Sequence, residues 1–393
     1  MGRLRYLTAG ESHGAMLVGI LEGVPAGLSL IAERDIDPIL RERQQGYGRS
    51  HRQKIESDRA TIVSGVRFGV TTGAPIAITI ENNDWVRWTE RMSVTPGENQ
   101  GSRVTIPRPG HADLAGGIKY GHEQDMRNVL ERASARETAM RVAIGAVAST
   151  LLHCLDFESI SYVQSIGGVV AGPLSDPFEN RVQIASSVVR MMDSTAEAAA
   201  ILAIDKAKER GDTLGGIVEC VVRGVPVGVG SHVQWDRKLD AAIAQAVMSI
   251  QAVKAVEIGA GRSAALQNGS ETHDPIVLRD GTIARSKNNA GGIEGGMSNG
   301  EPIVVRAAMK PISTLMRPLE SVDLKTGQPT DAHIERSDVC AVPALAVIVE
   351  QVVALTIASA LLETFGGDTV DELRARVSER RGALRIDRIL SRA

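Results

Sequence analysis

The sequence of 393 residues predicts an α+β fold, and three observations lead to this prediction. Several segments repeat apolar residues at helical spacing. Between them lie short runs of β-branched residues, which come in pairs separated by Gly or Pro and so predict antiparallel hairpins. The steady alternation of strand and helix that marks a doubly wound parallel sheet is missing, which favours the layered α+β class.

Apolar periodicity, with capping and turn-forming residues at the ends, predicts five helices. They cover residues 38–45, 125–153, 195–210, 236–254 and 343–365. Asp37 and Thr195 are the expected N-caps, and glycines follow the first, third and last of these helices. The last helix is apolar over most of its length, but Glu350 and Gln351 divide it into halves too short to span a bilayer. We therefore expect a buried core helix and no membrane association.

The predicted strands occupy the segments between these helices. The first covers residues 3–8, and the others lie within residues 60–66, 74–80, 215–230 and 301–309. No Ser-rich or Pro-rich linker divides the chain, so residues 1–393 are expected to form a single domain. A weak likeness between two glycine-rich loops, 110–121 and 288–300, leaves an internal duplication open.

The composition argues against several classes of function. A formal net charge of −3 and a content of 3% aromatic residues are unlike those of a nucleic-acid-binding protein. Cys154, Cys220 and Cys340 lie far apart, which indicates reduced thiols and a cytoplasmic protein. The eight histidines lack the paired spacing of a zinc site, so no metal is expected.

Two glycine motifs invite functional interpretations that their surroundings do not support. Residues 10–14, Gly-Glu-Ser-His-Gly, match the G-x-S-x-G elbow of hydrolases, but the segment after them is predicted as strand and turn instead of the required helix. Ser12 is therefore more plausible as a turn hydroxyl than as a nucleophile, whereas His13 on a glycine-flanked turn can approach a ligand. Residues 259–264 fit a dinucleotide fingerprint, but turn-forming residues follow where a helix should open.

Basic residues cluster near glycines and small residues in several further segments. Arg43 and Arg49 flank a Gly-Tyr-Gly turn, where guanidinium groups suit phosphate or carboxylate, although a solvated charged loop is the simpler alternative. Arg132 and Arg136 lie four residues apart on one predicted helix face, where an exposed ion-pair ladder is the alternative. His111 follows a rigid Pro-Gly pair and is either a surface residue or an imidazole directed at a pocket.

Taken together and in order, these segments resemble one enzyme family. The matching pieces are AGESHG, GYGR, RPGHAD, ERASARETA, GDTLGG, SIQAVKAVEIG, NAGGIEGGMSNG, MKPIST and RSDVCAVPA, between residues 9 and 344. They resemble chorismate synthase, with Ser249 as a small departure where glycine is expected. The resemblance implies a β-α-β sandwich in which a central layer of long helices lies between antiparallel sheets, and it implies a homotetramer.

The resemblance also implies an activity and a cofactor. The family converts 5-enolpyruvylshikimate 3-phosphate to chorismate and phosphate by an anti-1,4-elimination in the shikimate pathway of aromatic amino acid biosynthesis. It requires reduced FMN, and some members reduce their flavin with NADPH. The bacterial type expected here relies on a separate flavin reductase, although the sequence does not decide whether the chain reduces flavin itself.

The family pattern assigns roles to individual residues. It implies that His13 protonates the leaving phosphate, that His111 serves the flavin N1 region, and that Asp338 near N5 passes on the proton taken from C6. The implied substrate contacts are Ser12, Arg43, Arg49, Arg136 and Arg336. The implied flavin contacts are Arg132, Ala133, Ser134, Gln251, Ala252, Gly296, Lys310, Pro311, Ile312, Ser313, Thr314 and Arg336. Arg43 and Arg49 are also associated with an NADP site, which competes with their substrate role.

Two other functions stay open at this point. One is an NADPH-dependent flavin reductase, in which the elimination is absent or secondary. The other is a non-catalytic anion-binding module, against which the net charge of −3 and the few aromatic residues argue. Flavin perturbation that requires the phosphorylated ligand would distinguish the lyase from both.

Overall fold

The computed structural model, which describes residues 4–49, 57–97, 103–172, 176–335 and 337–391, confirms the α+β class. Its strands are β1 Arg5–Ala9, β2 Met16–Glu22, β3 Ala60–Ile62, β4 Val66–Arg67, β5 Val70–Thr71, β6 Ile76–Glu81, β7 Glu158–Ile166, β8 Val169–Val170, β9 Gly216–Arg223, β10 Val253–Ile258, β11 Ile276–Arg279, β12 Thr282–Arg285, β13 Ile293–Glu294, β14 Met297–Ser298, β15 Ile303–Met309, β16 Glu320–Asp323 and β17 Gln328–Asp331. Its α-helices are α1 Asp37–Gln44, α2 Asp113–Tyr120, α3 Arg127–Ala133, α4 Thr138–Cys154, α5 Arg181–Ser186, α6 Ser194–Glu209, α7 Leu239–Met248, α8 Gly269–Thr272, α9 Val342–Phe365, α10 Val370–Arg381 and α11 Ile386–Leu390.

Two antiparallel sheets contain most of the longer strands. The first has the order β1-β2-β6-β3 and the second the order β10-β15-β9-β7-β8. All pairings between these strands are antiparallel, as predicted. Most neighbours in each sheet are distant in sequence, however, so simple hairpins account for only part of the pairing.

Helices α4 and α9 form the centre of the core. They contact each other, and α4 also contacts β2 and β6 while α9 contacts β7 and β9. Glycine permits this approach at two positions. A Cβ on Gly19 in β2 would lie 2.5 Å from the sulfur of Met140, and one on Gly145 in α4 would lie 2.6 Å from the carbonyl oxygen of Gln351. Both sheets are thereby connected to one buried helix pair.

Helix α9 matches its prediction closely. It is long and apolar enough to cross a membrane by composition alone, but 78% of its most apolar window is buried inside the structure. Pro343 lies in its first turn and Gly366 follows its last residue. It is a core helix of this fold.

Two other helix predictions were wrong in their details. The segment 125–153 contains two helices, because Ser134 has an extended conformation (φ −60°, ψ 141°) between α3 and α4. The segment 236–254 contains only the shorter α7, since Ala252 has a positive φ of 68° and the chain then enters β10.

Two expected N-caps also differ in the structure. Asp193, and not Thr195, caps α6 by accepting hydrogen bonds from the backbone N–H groups of Thr195 and Ala196. Asp37 lies inside α1, where a preceding π-helical turn takes the capping position, and its carboxylate accepts from the N–H of Ala60 at 2.9 Å. Asp193 therefore satisfies N–H groups at the start of its own helix, whereas Asp37 satisfies an N–H group of β3.

Candidate functional site

A cavity of about 540 Å³ gathers most of the predicted site residues. The predicted residues that line it are Ser12, His13, Arg43, Arg49, His111, Ala133, Ser134, Arg136, Gln251, Ala252, Lys310, Ile312, Ser313, Thr314 and Asp338. They come from segments that are far apart in the chain but converge beside the ends of α1, α3 and α9. The cavity is large enough for small-molecule ligands.

Four predicted residues are not part of this described lining. Arg132 turns away and donates to the carbonyl oxygens of Gly10 and Thr8 at 3.0 and 2.8 Å. Gly296 packs elsewhere, against Lys238 and Gly230. Pro311 is flanked by lining residues without lining the cavity itself. Arg336 lies outside the described residues.

The turn between β1 and β2 carries Ser12 and His13 to the cavity. The backbone N–H of His13 donates to Oε2 of Glu131 at 2.8 Å, and its Nδ1 lies 2.9 Å from both oxygens of the same carboxylate. The imidazole also stacks on Trp88, with ring centroids 3.9 Å apart. A strand and not a helix follows the turn, so the hydrolase elbow is excluded and Ser12 is a turn residue whose hydroxyl accepts from Ser134 at 3.2 Å.

The break at Ser134 separates two arginines that were predicted to share a helix face. Arg136 points to the opposite side from Arg132 and its Nη1 lies 2.6 and 2.7 Å from the two carboxylate oxygens of Asp58. Ser134 stabilises the break, because its hydroxyl accepts from the N–H of Arg136 at the start of a 3₁₀ turn. The prediction that Arg132 and Arg136 share one helix face was therefore wrong, and only Arg136 lines the described cavity.

Arg43 and Arg49 reach the cavity from either side of the Gly-Tyr-Gly turn. Arg43 donates to Oγ1 of Thr138 at 2.9 Å and lies 3.6 Å from Asp58. Arg49 forms an ion pair with Asp338 at 3.1 Å, and its buried Nε has no hydrogen-bond partner among the described residues. The solvated-loop alternative does not hold for these two side chains, since both are more than nine-tenths buried.

His111 is held from behind by an aspartate and an arginine. Its Nδ1 lies 2.9 Å from Oδ1 of Asp113, and Arg108 donates to the same carboxylate through Nε at 2.8 Å and Nη2 at 3.1 Å. Burial alone would raise the pKa of Asp113, but the hydrogen bonds from His111 and Arg108 hold it well below its ordinary value. The carboxylate therefore stays ionised beneath the imidazole.

The segment 309–314 closes the cavity beside the loop that carries His111. Lys310 donates to the carbonyl oxygen of Gly110, and so does the hydroxyl of Ser313 at 2.9 Å. A Cβ on Gly110 would lie 3.1 Å from Oγ of Ser313 and 3.2 Å from Nζ of Lys310. Burial, followed by the charge of Lys254, lowers the pKa of Lys310 from its ordinary value. Gly110 is therefore needed for the close contact of the two loops.

Gln251 and Ala252 provide an acceptor and an unusual backbone conformation. Nε2 of Gln251 donates to Glu137 at 3.2 Å, while its buried Oε1 has no partner among the described residues. Ala252 has a φ of 68°, a conformation that costs energy for a residue with a Cβ and often occurs at functional sites. Its carbonyl oxygen accepts from the N–H of Lys310 at 2.9 Å.

The described lining has an excess of positive charge. Its cationic residues are Arg43, Arg49, Arg108, Arg136, Lys254 and Lys310, and its acidic residues are Glu335 and Asp338. A hydrogen bond from His333 lowers the pKa of Glu335 to about 2 against the effect of burial, with Arg108 and Arg127 adding to the shift. The cavity is therefore suited to a small ligand with several negative charges.

Comparisons with known proteins identify the family of the chain. The family model for chorismate synthase matches residues 4–362. Chorismate synthases of Trichlorobacter lovleyi and Thermus thermophilus are 55% and 54% identical to the chain, over 94% and 97% of its length and 97% and 100% of theirs. A crystal structure of chorismate synthase superimposes with a TM-score of 0.78 at 41% identity and covers 98% of both chains.

The chain belongs to the chorismate synthase family. It is accordingly an enzyme of the lyase class in the shikimate pathway. The family resemblance of the nine sequence segments is thereby confirmed. The interpretation of residues 259–264 as a dinucleotide fingerprint, which the sequence did not support, is wrong, because a 3₁₀ turn and not an α-helix follows the strand.

Several residues of this cavity and its surroundings were missed in the sequence. Arg108, Thr138 and Glu335 line the cavity, while Asp58, Asp113 and Glu131 lie behind it as partners of its cations and histidines. Arg108 stands only three residues before His111, so its proximity was a usable signal. Asp58 and Glu131 gave no such signal, since their partners are 78 and 118 residues away.

Proposed function

We propose that the chain converts 5-enolpyruvylshikimate 3-phosphate to chorismate and phosphate by an anti-1,4-elimination that requires reduced FMN. The proposal rests on one observation. A single cavity contains both a wall of cationic residues and two histidines, each of which faces a buried carboxylate. The substrate has one phosphate and two carboxylates, and the reaction removes the phosphate from C3 and a hydrogen from C6. Such a reaction needs anion binding at several points and a proton donor at the leaving group.

Arg43, Arg49 and Arg136 are proposed to bind the substrate anions, together with Ser12 and Arg336. The guanidinium groups are held by buried Asp58 and by Asp338, which fixes their directions before any ligand arrives. Side chains that are already oriented lose less conformational entropy when a ligand binds. The same buried contacts favour a substrate role for Arg43 and Arg49 over the NADP role that the family pattern also offers.

The two histidines and Asp338 are proposed to handle protons. Since Nδ1 of His13 faces Glu131, its Nε2 is the ring nitrogen available to protonate the departing phosphate. Nδ1 of His111 faces Asp113 in the same manner, which leaves its Nε2 for the flavin N1 region. Asp338, which pairs with Arg49 at 3.1 Å, is proposed to pass on the proton taken from C6.

The residues present fit a flavin. Gln251 offers a buried acceptor with no partner among the described residues, Ala252 beside it has a positive φ, and Lys310, Ser313 and Thr314 supply polar side chains along one wall. Bound reduced FMN would lend electron density to the ring as the C–O bond breaks. Ala133, Ser134, Lys310, Ile312, Ser313 and Thr314 are proposed to hold it. NADPH is proposed only as a source of electrons, supplied directly or through a separate reductase.

The layered arrangement and the assembly are part of the same proposal. The contacts of α4 with the first sheet and of α9 with the second support a β-α-β sandwich with a central helical layer. Following the family, we propose a cytoplasmic homotetramer formed from single-domain chains. The three cysteines of the chain form no disulfide, in keeping with a reducing compartment.

Phosphate release under anaerobic conditions tests the proposal. Protein, 5-enolpyruvylshikimate 3-phosphate and dithionite-reduced FMN should yield chorismate and phosphate in equal amounts. Oxidised FMN in air should give none, and full turnover without flavin would reject the flavin requirement. Oxidation of NADPH by FMN in the absence of chorismate formation would instead favour the flavin reductase, and ligand binding without either reaction would favour an anion-binding module.

A further inference from the structure

Glu131 has a buried carboxylate that contacts the cavity lining through His13. It is 1% exposed and lies in the last turn of α3, behind the imidazole as seen from the cavity lining. Three donors converge on its two oxygens: the backbone N–H of His13 at 2.8 Å, Nδ1 of His13 at 2.9 Å and Nη1 of Arg127 at 3.4 Å. Its own carbonyl oxygen also accepts from the N–H of Ser12 at 3.0 Å.

These contacts determine which ring nitrogen of His13 carries a proton in the neutral form. A carboxylate can only accept hydrogen bonds, so Nδ1 must donate to it. The neutral imidazole then has its proton on Nδ1 and its lone pair on Nε2. The ring cannot easily turn over to exchange the two nitrogens, because Trp88 stacks on one face with an interplanar angle of 26°.

The surroundings of Glu131 and Trp88 hold this arrangement in place. The guanidinium carbon of Arg127 lies 5.5 Å from the centroid of the Trp88 ring and its Nη1 also pairs with Glu335 at 3.3 Å. On the other side of the turn, Nδ2 of Asn82 donates to the carbonyl oxygens of Gly14 and Ser12 at 2.9 and 3.2 Å. Both the ring and the backbone of His13 are thus fixed from outside the cavity.

We propose that Glu131 is a positioning residue, which sets the Nδ1–H tautomer of His13 and directs Nε2 into the cavity. The assignment rests on the proposed role of His13 as the proton donor to the leaving phosphate. Glu131 touches no reacting atom in this scheme and acts only through the imidazole. The chemical effect is that Nε2, and not Nδ1, takes up and returns the proton that leaves with phosphate.

Glu131→Gln is the sharpest variant because glutamine keeps the shape but replaces one acceptor with a donor. Because Nδ1 of His13 lies 2.9 Å from both oxygens of Glu131, either orientation of the amide places the NH₂ group near Nδ1, and the NH₂ group also opposes the backbone N–H of His13 in one orientation and Arg127 in the other. The conflict with Nδ1 is reduced if the ring proton moves to Nε2, so that Nδ1 accepts. Imidazole ¹⁵N shifts of the ligand-free chain should therefore change from the Nδ1–H to the Nε2–H pattern, with His13→Ala used to assign the signals.

A matched control and the wild type make this test decisive. Glu335→Gln removes the other carboxylate that pairs with Arg127 and should leave the ¹⁵N shifts of His13 unchanged. The unaltered chain must itself give the Nδ1–H pattern for His13, a result that does not depend on whether the glutamine variant folds. Finding Nε2–H in the wild type, or Nδ1–H in a folded Glu131→Gln, overturns the proposal.

Kinetics supply the second readout. In Glu131→Gln, kcat for phosphate release should fall by about 10²-fold, a scale typical of a misplaced general acid, while KM stays near the wild-type value. Glu131→Asp keeps an acceptor-only group and should recover most of kcat and the Nδ1–H pattern. Equal loss in both variants would overturn the proposal. If the wild type itself releases no phosphate, the proposed function fails, while the ¹⁵N measurement still tests the contact.

Discussion

At the scale of single residues, Ser12 and His13 are neighbours with different partners, so their substitutions should have different effects. Ser12→Ala removes one hydroxyl contact with Ser134 and should lower activity only modestly. His13→Ala removes the proposed proton donor and should lower kcat by about 10²-fold or more. Steady-state phosphate release by both variants checks this. Loss of all turnover in Ser12→Ala, with labelling of that serine by an acylating reagent, would require the nucleophile interpretation again.

His13 and His111 should also differ from each other when lost. His111→Ala removes a group assigned to the flavin N1 region, so the pKa of bound reduced FMN should rise as a nearby positive charge is lost. His13→Ala should leave that titration unchanged when flavin is bound alone. Spectra of bound reduced FMN across a pH series provide the measurement. Equal perturbation in the two variants would contradict the separate roles without affecting the family assignment.

Asp113 connects the site to the stability of the protein. Its pKa is held below the ordinary 3.8 by His111 and Arg108 although burial opposes this. A carboxylate with a depressed pKa in the folded state contributes stability above pH of about 3.8, and this contribution is lost as the pH falls further. Asp113→Asn should therefore lower the free energy of unfolding at neutral pH by about 3 kcal/mol, as expected for a broken buried pair.

Chemical denaturation at several pH values tests the role of Asp113. The wild-type free energy of unfolding should decline more steeply below about pH 4 than that of Asp113→Asn, because only the wild type takes up this proton on unfolding in that range. Two parallel curves would contradict the assignment. Glu335, whose pKa is lowered to about 2, should give a similar window from about 4.5 downward.

The sequence revealed the histidines and arginines of the site but not the acids behind them. His13 and His111 were visible because glycines flank them, and Arg43, Arg49 and Arg136 because they stand near small residues. Glu131, for example, bonds to an imidazole 118 residues away. Long-range partners of this kind depend on how the elements pack, which a local pattern does not contain.

At the scale of elements, the break at Ser134 has the clearest functional consequence. Apolar periodicity continues through residues 126–151, so it predicted one helix. The structure interrupts it because the hydroxyl of Ser134 caps the N–H of Arg136, and serine competes in this way with helical hydrogen bonding. The interruption turns Arg136 toward Asp58 and Arg132 toward β1. Periodicity identified residues that are buried on both sides of the break, such as Leu130 and Ile144, but it did not reveal the break.

Where α4 crosses α9, replacing a glycine by alanine should destabilise the protein, although helix propensity alone predicts that it stabilises it. Gly→Ala in a helix normally stabilises it by roughly 1 kcal/mol. At Gly145, however, the new Cβ would lie 2.6 Å from backbone oxygen of Gln351, which cannot move without the helix. Gly145→Ala should destabilise the protein by about 1–3 kcal/mol through overpacking.

Thermal and urea unfolding check the helix crossing, and α8 contains a matched control. Gly269 lies in a helix, and its nearest neighbour to an added Cβ is 3.7 Å away, an ordinary contact. Gly269→Ala should be neutral or slightly stabilising in the same assay. Equal stability of Gly145→Ala and the wild type would mean that the two central helices are not tightly packed at this point.

At the scale of the whole molecule, the net charge of the chain is negative, whereas the described lining of the cavity is positively charged. The chain carries a formal net charge of −3, a value that argues against a nucleic-acid-binding protein. Yet six cationic residues and two acidic ones line the described part of the cavity. A total over the sequence cannot reveal such a separation, because it arises only when distant segments converge.

This separation predicts how salt should affect catalysis. A ligand with a phosphate and two carboxylates is attracted by the cavity and weakly repelled by the rest of the surface. The Debye length falls from about 10 Å at 0.1 M salt to roughly 3 Å at 1 M, so added salt should screen the encounter more than the buried contacts within the complex. We expect kcat/KM for phosphate release to fall as NaCl rises, while kcat at saturating substrate changes little.

A comparison of anions separates general screening from specific binding. At equal ionic strength, sulfate or inorganic phosphate should raise KM more than chloride does, because a tetrahedral dianion competes for the guanidinium groups of Arg43, Arg49 and Arg136. Initial rates across a series of each salt, at fixed pH and fixed reduced FMN, provide the measurement. If kcat/KM proved independent of ionic strength and equally indifferent to the three anions, the cationic wall would have no part in capturing the substrate, and its arginines would have to be assigned to the structure of the cavity alone.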